Sequence, residues 1–307
     1  MGVMKGFGAQ SHPHTGPQRR GRDLSRLRPG VDNYDPDPVV GPALRLRAVN
    51  FERDGRRILD RIDWEVEAGQ RWVVLGPNGS GKTTLLRLSG GHDHPTEGTV
   101  EILGSRVGRV DLRRLRTRVG FTSGAVTRTL RATLPAADIV MTGRFAALEP
   151  WWHDYGDVDR ARARDLLATL GVGHVAALPW AVISEGERQQ VLLARLLMGD
   201  PELVLLDEPF AGLDLGARER LLDRLGTLFA DPATPALVLV THHVEEIPVG
   251  TTHAALLREG RVVAAGPVDK ALTAATLSAA FALDVRLGRD GDRWWAHAGG
   301  GAEAPSP

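Results

Sequence analysis

The sequence predicts an α/β fold with a mainly parallel sheet covered by helices. Short apolar runs of strand length alternate along the chain with segments whose leucines recur at helical spacing. One glycine-rich loop stands between a predicted strand, Trp72-Val-Val-Leu75, and a predicted helix over Thr83–Leu88, which stops at Gly90-Gly91. Leu203-Val-Leu-Leu206 and Ala236–Thr241 are continuous apolar runs, as strands buried on both faces require.

The elements follow in order. Residues 1–42 are rich in Gly, Pro, Arg and Asp and are expected to be a disordered leader. From Ala43 the texture changes: Leu44, Leu46 and Ala48 alternate with Arg45 and Arg47, the period of a half-buried strand. Further strands are expected at Ile62–Val66, Val100–Leu103, Ala254–Leu257 and Val262–Ala265. Residues from about 125 to 200 read as mostly helical, and Leu221, Leu222, Leu225 and Leu228 mark another helix. Val285–Ala296 reads as a hairpin turning within Gly288–Asp292, with Trp294 and Trp295 packed on the body.

Composition narrows the function classes. Lys plus Arg and Asp plus Glu both number 38, so bulk charge gives no support for a nucleic-acid partner. The absence of cysteine excludes disulfides, thiol nucleophiles and thiolate metal sites. No run is apolar for long enough to span a bilayer, and the N-terminus lacks a signal-peptide core. The expected location is the cytoplasm.

Residues 76–83 read Gly-Pro-Asn-Gly-Ser-Gly-Lys-Thr, a complete phosphate-binding loop. Glycines let the backbone curl tightly and aim N–H groups inward at phosphate oxygens. Gly76, Gly79 and Gly81 meet that need, with Pro77, Asn78, Ser80 and Thr84 completing the nucleotide contact set. Lys82 is expected to reach the β- and γ-phosphates of ATP, and the Thr83 hydroxyl to ligate Mg²⁺. Asp207-Glu208-Pro209 ends an apolar strand at the sheet edge where ligands sit. Asp207 is the second expected Mg²⁺ ligand, and Glu208 the general base on the attacking water.

Together these residues resemble the nucleotide-binding subunit of ATP-binding cassette (ABC) proteins, over roughly Leu44–Ala282. The most specific element is Ile183-Ser-Glu-Gly-Glu-Arg-Gln-Gln190, similar to the family's Leu-Ser-Gly-Gly-Gln signature. Ser184 and Gly186 keep the residues that meet phosphate in the family; Glu185 and Glu187 depart from it. A plain capping box of Ser184 and Glu187 has the same spacing, and both readings can hold together. Gly212-Leu-Asp214 matches the loop that couples two sites across a dimer, and His242 matches the switch histidine at the γ-phosphate.

The resemblance implies a P-loop NTPase core with an antiparallel β subdomain and an inserted helical subdomain. It divides the chain into an ATPase domain over 43–284, with the helical insert at about 125–200, and a C-terminal hairpin and tail over 285–307. It also implies a second ATPase subunit, two ATPs held between the two, and integral membrane transporter subunits as partners. The expected place is then peripheral, at the inner face of the cell membrane. Asp138-Ile-Val-Met-Thr-Gly-Arg144 is similar to the insert of metal-chelate importers.

Two positions depart from the family. Arg53 stands where many relatives stack an aromatic ring on adenine; a guanidinium can stack there too, or Arg53 is a solvated turn residue beside Asp54-Gly55. Ser123-Gly124 replaces the Gln that senses Mg²⁺ near the membrane partner. A soluble ABC-type ATPase with a regulatory or repair-like role therefore stays open beside the transporter subunit. A P-loop kinase leaves Ser184–Gln190 unexplained. The cluster Trp151-Trp-His-Asp-Tyr155 is either a partner-contact patch or folds back on its own helices.

Overall fold

The computed structural model describes residues 41–124 and 129–299. The expected leader over 1–42 lies, up to residue 40, outside the described residues, as do 300–307 of the tail and 125–128 at the start of the helical insert.

A six-stranded sheet is the frame. Strand β3 (Arg71–Leu75) lies between β8 (Ala236–Val240) and β9 (His253–Arg258), parallel to both. Beyond β8 come β7 (Leu203–Asp207) and β6 (Val119–Thr122), again parallel. Strand β10 (Arg261–Pro267) closes the other edge antiparallel to β9. Successive side chains of a strand point to opposite faces, and both faces of this sheet are covered. Val73, Leu75, Val204, Leu206, Leu237 and Leu239 join one core cluster. Trp72, Val74, Leu203, Leu205, Val238 and Val240 join the other. That double burial is why these strands read as unbroken apolar runs.

The first cluster is roofed by α3 (Ala136–Thr142), α4 (Asp157–Thr169), α5 (Glu185–Leu197) and α6 (Leu215–Ala230). The second holds α1 (Lys82–Ser89) under an antiparallel sheet of β1 (Leu44–Arg53), β2 (Arg56–Val66), β4 (Glu97–Ile102) and the short β5 (Ser105–Arg106). A six-residue helix α2 (Leu112–Thr117) leads into β6. Strand β2 begins at Arg56, well before the expected Ile62, because Asp54 and Gly55 turn with φ of +53° and +72° and return the chain directly into pairing.

The chain then forms a two-stranded hairpin, β11 (Val285–Asp290) and β12 (Arg293–Ala298), turning at Gly291-Asp292. Trp294 packs on the core, but Trp295 does not: strand alternation turns it outward, where it stacks on His297 at 4.8 Å. The aromatic loop is divided in the same way. Phe145 stacks on His153, Tyr155 packs tilted against Phe145 and edge-on to His153, and Tyr155 reaches the core. Trp151 is 57% exposed beneath the Arg131 guanidinium. The side chain of Trp152 lies outside the described part.

Candidate functional site

The carboxyl ends of β3, β7 and β8 converge on one edge of the sheet, and each delivers a predicted residue there. Strand β3 runs straight into the phosphate loop. Gly81, at φ +102°, turns the chain into α1; a Cβ on it would stand 2.7 Å from Leu59 Cδ2 and 3.1 Å from the Ile58 carbonyl oxygen. A Cβ on Gly76 would meet the Leu257 carbonyl oxygen at 2.3 Å. Only glycine fits either place. No side chain caps α1, so its first-turn N–H groups are left to an anion. Asn78 and Gly79 are exposed at the crest, Pro77 and Thr84 half-buried, and Ser80 is buried with its hydroxyl unpartnered.

Lys82 is 5% exposed. Its Nζ donates to the carbonyl oxygens of Gly76 (2.8 Å) and Pro77 (3.0 Å) and lies 4.0 Å from Glu208 Oε1. Burial lowers its pKa; Glu208 and Asp207 pull the other way. The Thr83 hydroxyl donates to Asp207 Oδ1 at 3.2 Å, joining the start of α1 to the end of β7. Burial pushes the Asp207 carboxyl up to about 6, helped by the negative Glu208 and opposed by the Thr83 bond, Lys82 and Arg87.

Glu208 adopts φ +48°, and its N–H donates to the Val240 carbonyl oxygen at 3.0 Å. That bond ties the acidic turn to the end of β8, two residues before His242. Glu208 Oε1 lies 3.3 Å from His242 Nδ1, an atom shielded from solvent that forms no hydrogen bond. Thr241 donates its hydroxyl to the buried Glu246 carboxylate and accepts from the His243 N–H, which fixes the backbone on both sides of His242. His243 itself is exposed. A cationic amine, two carboxylates, a hydroxyl and an imidazole thus face one open edge, the set needed to hold a polyphosphate and polarise a water beside it.

The other predicted residues gather elsewhere. Ser184 caps α5: its N–H and hydroxyl both donate to Glu187 Oε2, at 2.8 and 2.7 Å. Those bonds, with His174 beside it, hold the Glu187 carboxyl below its usual range. Gly186 sits against α6, where a Cβ would come within 2.8 Å of Ala217 Cβ. Asp214 caps α6 by accepting from the Ala217 N–H at 2.7 Å. The starts of α5 and α6 are therefore neighbours. Among the described residues no hydrogen bond or ion pair joins Ser184–Gln190 to the phosphate loop. Arg53 donates to Asp93 at 3.3 Å and lies over the Phe51 ring, while Asp93 is shared with Arg87 of α1. Ser123 is buried at the end of β6. Sequence reasoning missed Glu246 and Asp93; ion pairs and buried acids at such separations leave no periodic trace.

Comparison with known proteins identifies the family. The ABC transporter family model matches residues 59–211. The chain is 37% identical over 251 residues to the uncharacterized ABC transporter ATP-binding protein YlmA of Bacillus subtilis, covering 81% of this chain and 95% of that one. It is 34% identical over 274 residues to the hemin import ATP-binding protein HmuV of Streptomyces coelicolor, covering 87% and 94%. Among solved structures it matches an ABC transporter assigned to the metal-chelate type, in an inward-facing conformation, with TM-score 0.66, 25% identity and 83% and 96% coverage. It also matches a dimeric bacterial ABC transporter cassette with TM-score 0.64, 25% identity and 73% and 98% coverage. The fold is the P-loop NTPase cassette, and the relatives favour a transporter role over the soluble alternative. The chain belongs to the ABC transporter family, as an ATP-binding and ATP-hydrolysing subunit.

Proposed function

We propose that this subunit drives an importer of metal chelates or a related small cargo through separate membrane subunits, working as a head-to-tail pair. The observation that carries the reading is the convergence of Lys82, Thr83, Asp207, Glu208 and His242 on one sheet edge. Loop 76–84 cradles the ATP phosphates, and Lys82 exchanges its two carbonyl partners for β- and γ-phosphate oxygens. Glu208 takes up the proton of the attacking water, while His242 orients that water and the γ-phosphate. Thr83 and Asp207 fit Mg²⁺: a hydroxyl and a carboxylate oxygen 3.2 Å apart are hard ligands, and Mg²⁺ needs few from the protein. When bound, that ion neutralises charge on the phosphates.

Among the described residues no hydrogen bond joins Ser184, Gly186 or Asp214 to this chain's own loop, and the three stand at the neighbouring starts of α5 and α6, as groups serving a second subunit's ATP must. The relative named above for hemin import, together with nickel and cobalamin import relatives, supports the importer reading. Among the described residues no helix is long and apolar enough to cross a membrane; the transport reading assigns the membrane passage to partner subunits. The site sits at the inner membrane face with them. Arg53 lies beside the adenine, its guanidinium released from Asp93 to stack on the base. Domain limits follow the same reading: cassette over 43–284, helical insert at about 125–200, and hairpin and tail over 285–307.

Glu208→Gln tests the pair. It removes the base with little change in volume, so the variant should bind ATP, lose hydrolysis by roughly 10²-fold or more, and elute as a dimer with ATP. A variant that stays monomeric at saturating ATP defeats the paired-site reading.

A further inference from the structure

Among the described residues the hairpin β11–β12 pairs with no strand of another sheet. An isolated two-stranded hairpin is marginal in water, so side chains must dock it. Leu287, Trp294 and Ala296 pack on the core, and Arg289 covers the Trp294 ring at 3.7 Å while bonding Asp269. The Val285 N–H donates to the Ser278 hydroxyl at 3.0 Å, and the bonds of β12 go to two places that matter for the site.

Arg293 Nη1 donates to Glu219 Oε2 at 2.8 Å, and Nη2 to the Glu245 carbonyl oxygen at 3.1 Å. The Ala296 N–H donates back to Glu245 Oε1 at 3.0 Å. Glu219 stands on α6, little more than a turn after its cap Asp214. Glu245 stands in the short turn Val244–Glu246, just after His242. That turn is already closed on the residue before His242 by the Thr241–Glu246 bond. One guanidinium therefore bridges the helix that begins at Asp214 and the turn that leaves His242. None of these bonds reaches the phosphate loop.

We propose that β12 clamps α6 to the turn after His242, with Arg293 a positioning residue that holds His242 and Asp214 in register for hydrolysis. The proposal rests on the reading of His242 as the group at the γ-phosphate. It separates the effect of Arg293 from ATP binding, because the bonds of that side chain touch only α6 and the turn after His242. The Arg293 guanidinium also holds the Glu219 carboxyl below its usual range.

The test uses the full chain with steady-state ATPase kinetics and ATP titration. Arg293→Ala should lower kcat roughly 10- to 100-fold, the upper figure being the scale of a group misplaced by about 1 Å, with KM and Kd for ATP within about twofold of wild type. Arg293→Lys should recover part of the loss, and Arg293→Glu with Glu219→Arg should recover more than either change alone. If Arg293→Ala does not fold, Glu219→Gln, which removes charge without volume, must show the same split. A kcat within about twofold of wild type, or a rise in KM with kcat intact, overturns the proposal. His242→Ala runs alongside: if it is inactive while Arg293→Ala is normal, only the clamp fails. If His242→Ala hydrolyses ATP at the wild-type rate, the site reading fails and takes the clamp with it.

Discussion

Lys82→Ala isolates the strongest attraction the site can offer a phosphate. The Lys82 side chain is 5% exposed, its ammonium bonded to two backbone carbonyls at 2.8 and 3.0 Å, with Glu208 Oε1 at 4.0 Å. Burial already disfavours the charged form, as its lowered pKa records. ATP brings phosphate oxygens that replace neutral carbonyls as acceptors. Hydrogen bonds to charged groups contribute about 1.5–3 kcal/mol each, so two of them bring about 3–6 kcal/mol. The lower figure applies, since the carbonyl bonds given up offset part of the gain. At about 1.4 kcal/mol per factor of ten, a loss of about 3 kcal/mol weakens ATP binding roughly 100-fold. The assay is calorimetric or fluorescent-nucleotide titration at saturating Mg²⁺, with circular dichroism to show that the variant is folded. A folded Lys82→Ala chain with a Kd within about threefold of wild type refutes the placement of Lys82 on the phosphates.

Two further outcomes follow from local geometry. Gly81→Ala puts a side chain at φ +102° and 2.7 Å from Leu59 Cδ2, a backbone strain of about 1–3 kcal/mol; the expected result is a lowered Tm and no measurable ATPase, and wild-type turnover would contradict it. Glu187→Ala removes the α5 capping box, which stabilises by about 1 kcal/mol. Because the folded Glu187 pKa is depressed, that contribution is complete above the unfolded value of about 4.3 and is lost as pH falls through the folded pKa. Thermal melts of both proteins should therefore differ at about pH 7 and converge in acid; an equal gap at both would sink the argument.

How much was legible depends on what each residue has to satisfy. Strands β7 and β8 were legible because both faces are buried, so nearly every position must be apolar. The phosphate loop was legible because Gly76 and Gly81 have no room for a Cβ. Strand β2 was only half read: Arg56 and Arg57 look like loop residues, although the Asp54-Gly55 turn forces them into pairing with Arg53 and Glu52. Trp294 and Trp295 look alike in sequence, and only the strand's alternation separates the packed ring from the outward one. The Arg293–Glu219 bridge joins residues 74 apart, and no spacing rule reaches that far.

The same distinction explains the form of the site. Lys82, Asp207, Glu208 and His242 meet because three parallel strands end on one edge, so their meeting is a property of a single chain. Ser184, Gly186 and Asp214 are also ordered, but by caps and packing between α5 and α6. No hydrogen bond among the described residues aims them at this chain's own loop. On the proposed pairing, these prearranged motifs serve the phosphate loop of a second copy, and closure of the pair depends on how α5 and α6 are held relative to the sheet. Ser123, in place of the family's Gln, lies at the end of β6 on that same edge. On the proposed reading, the shorter side chain there bears on coupling to a membrane subunit and leaves the ATP-binding residues in place.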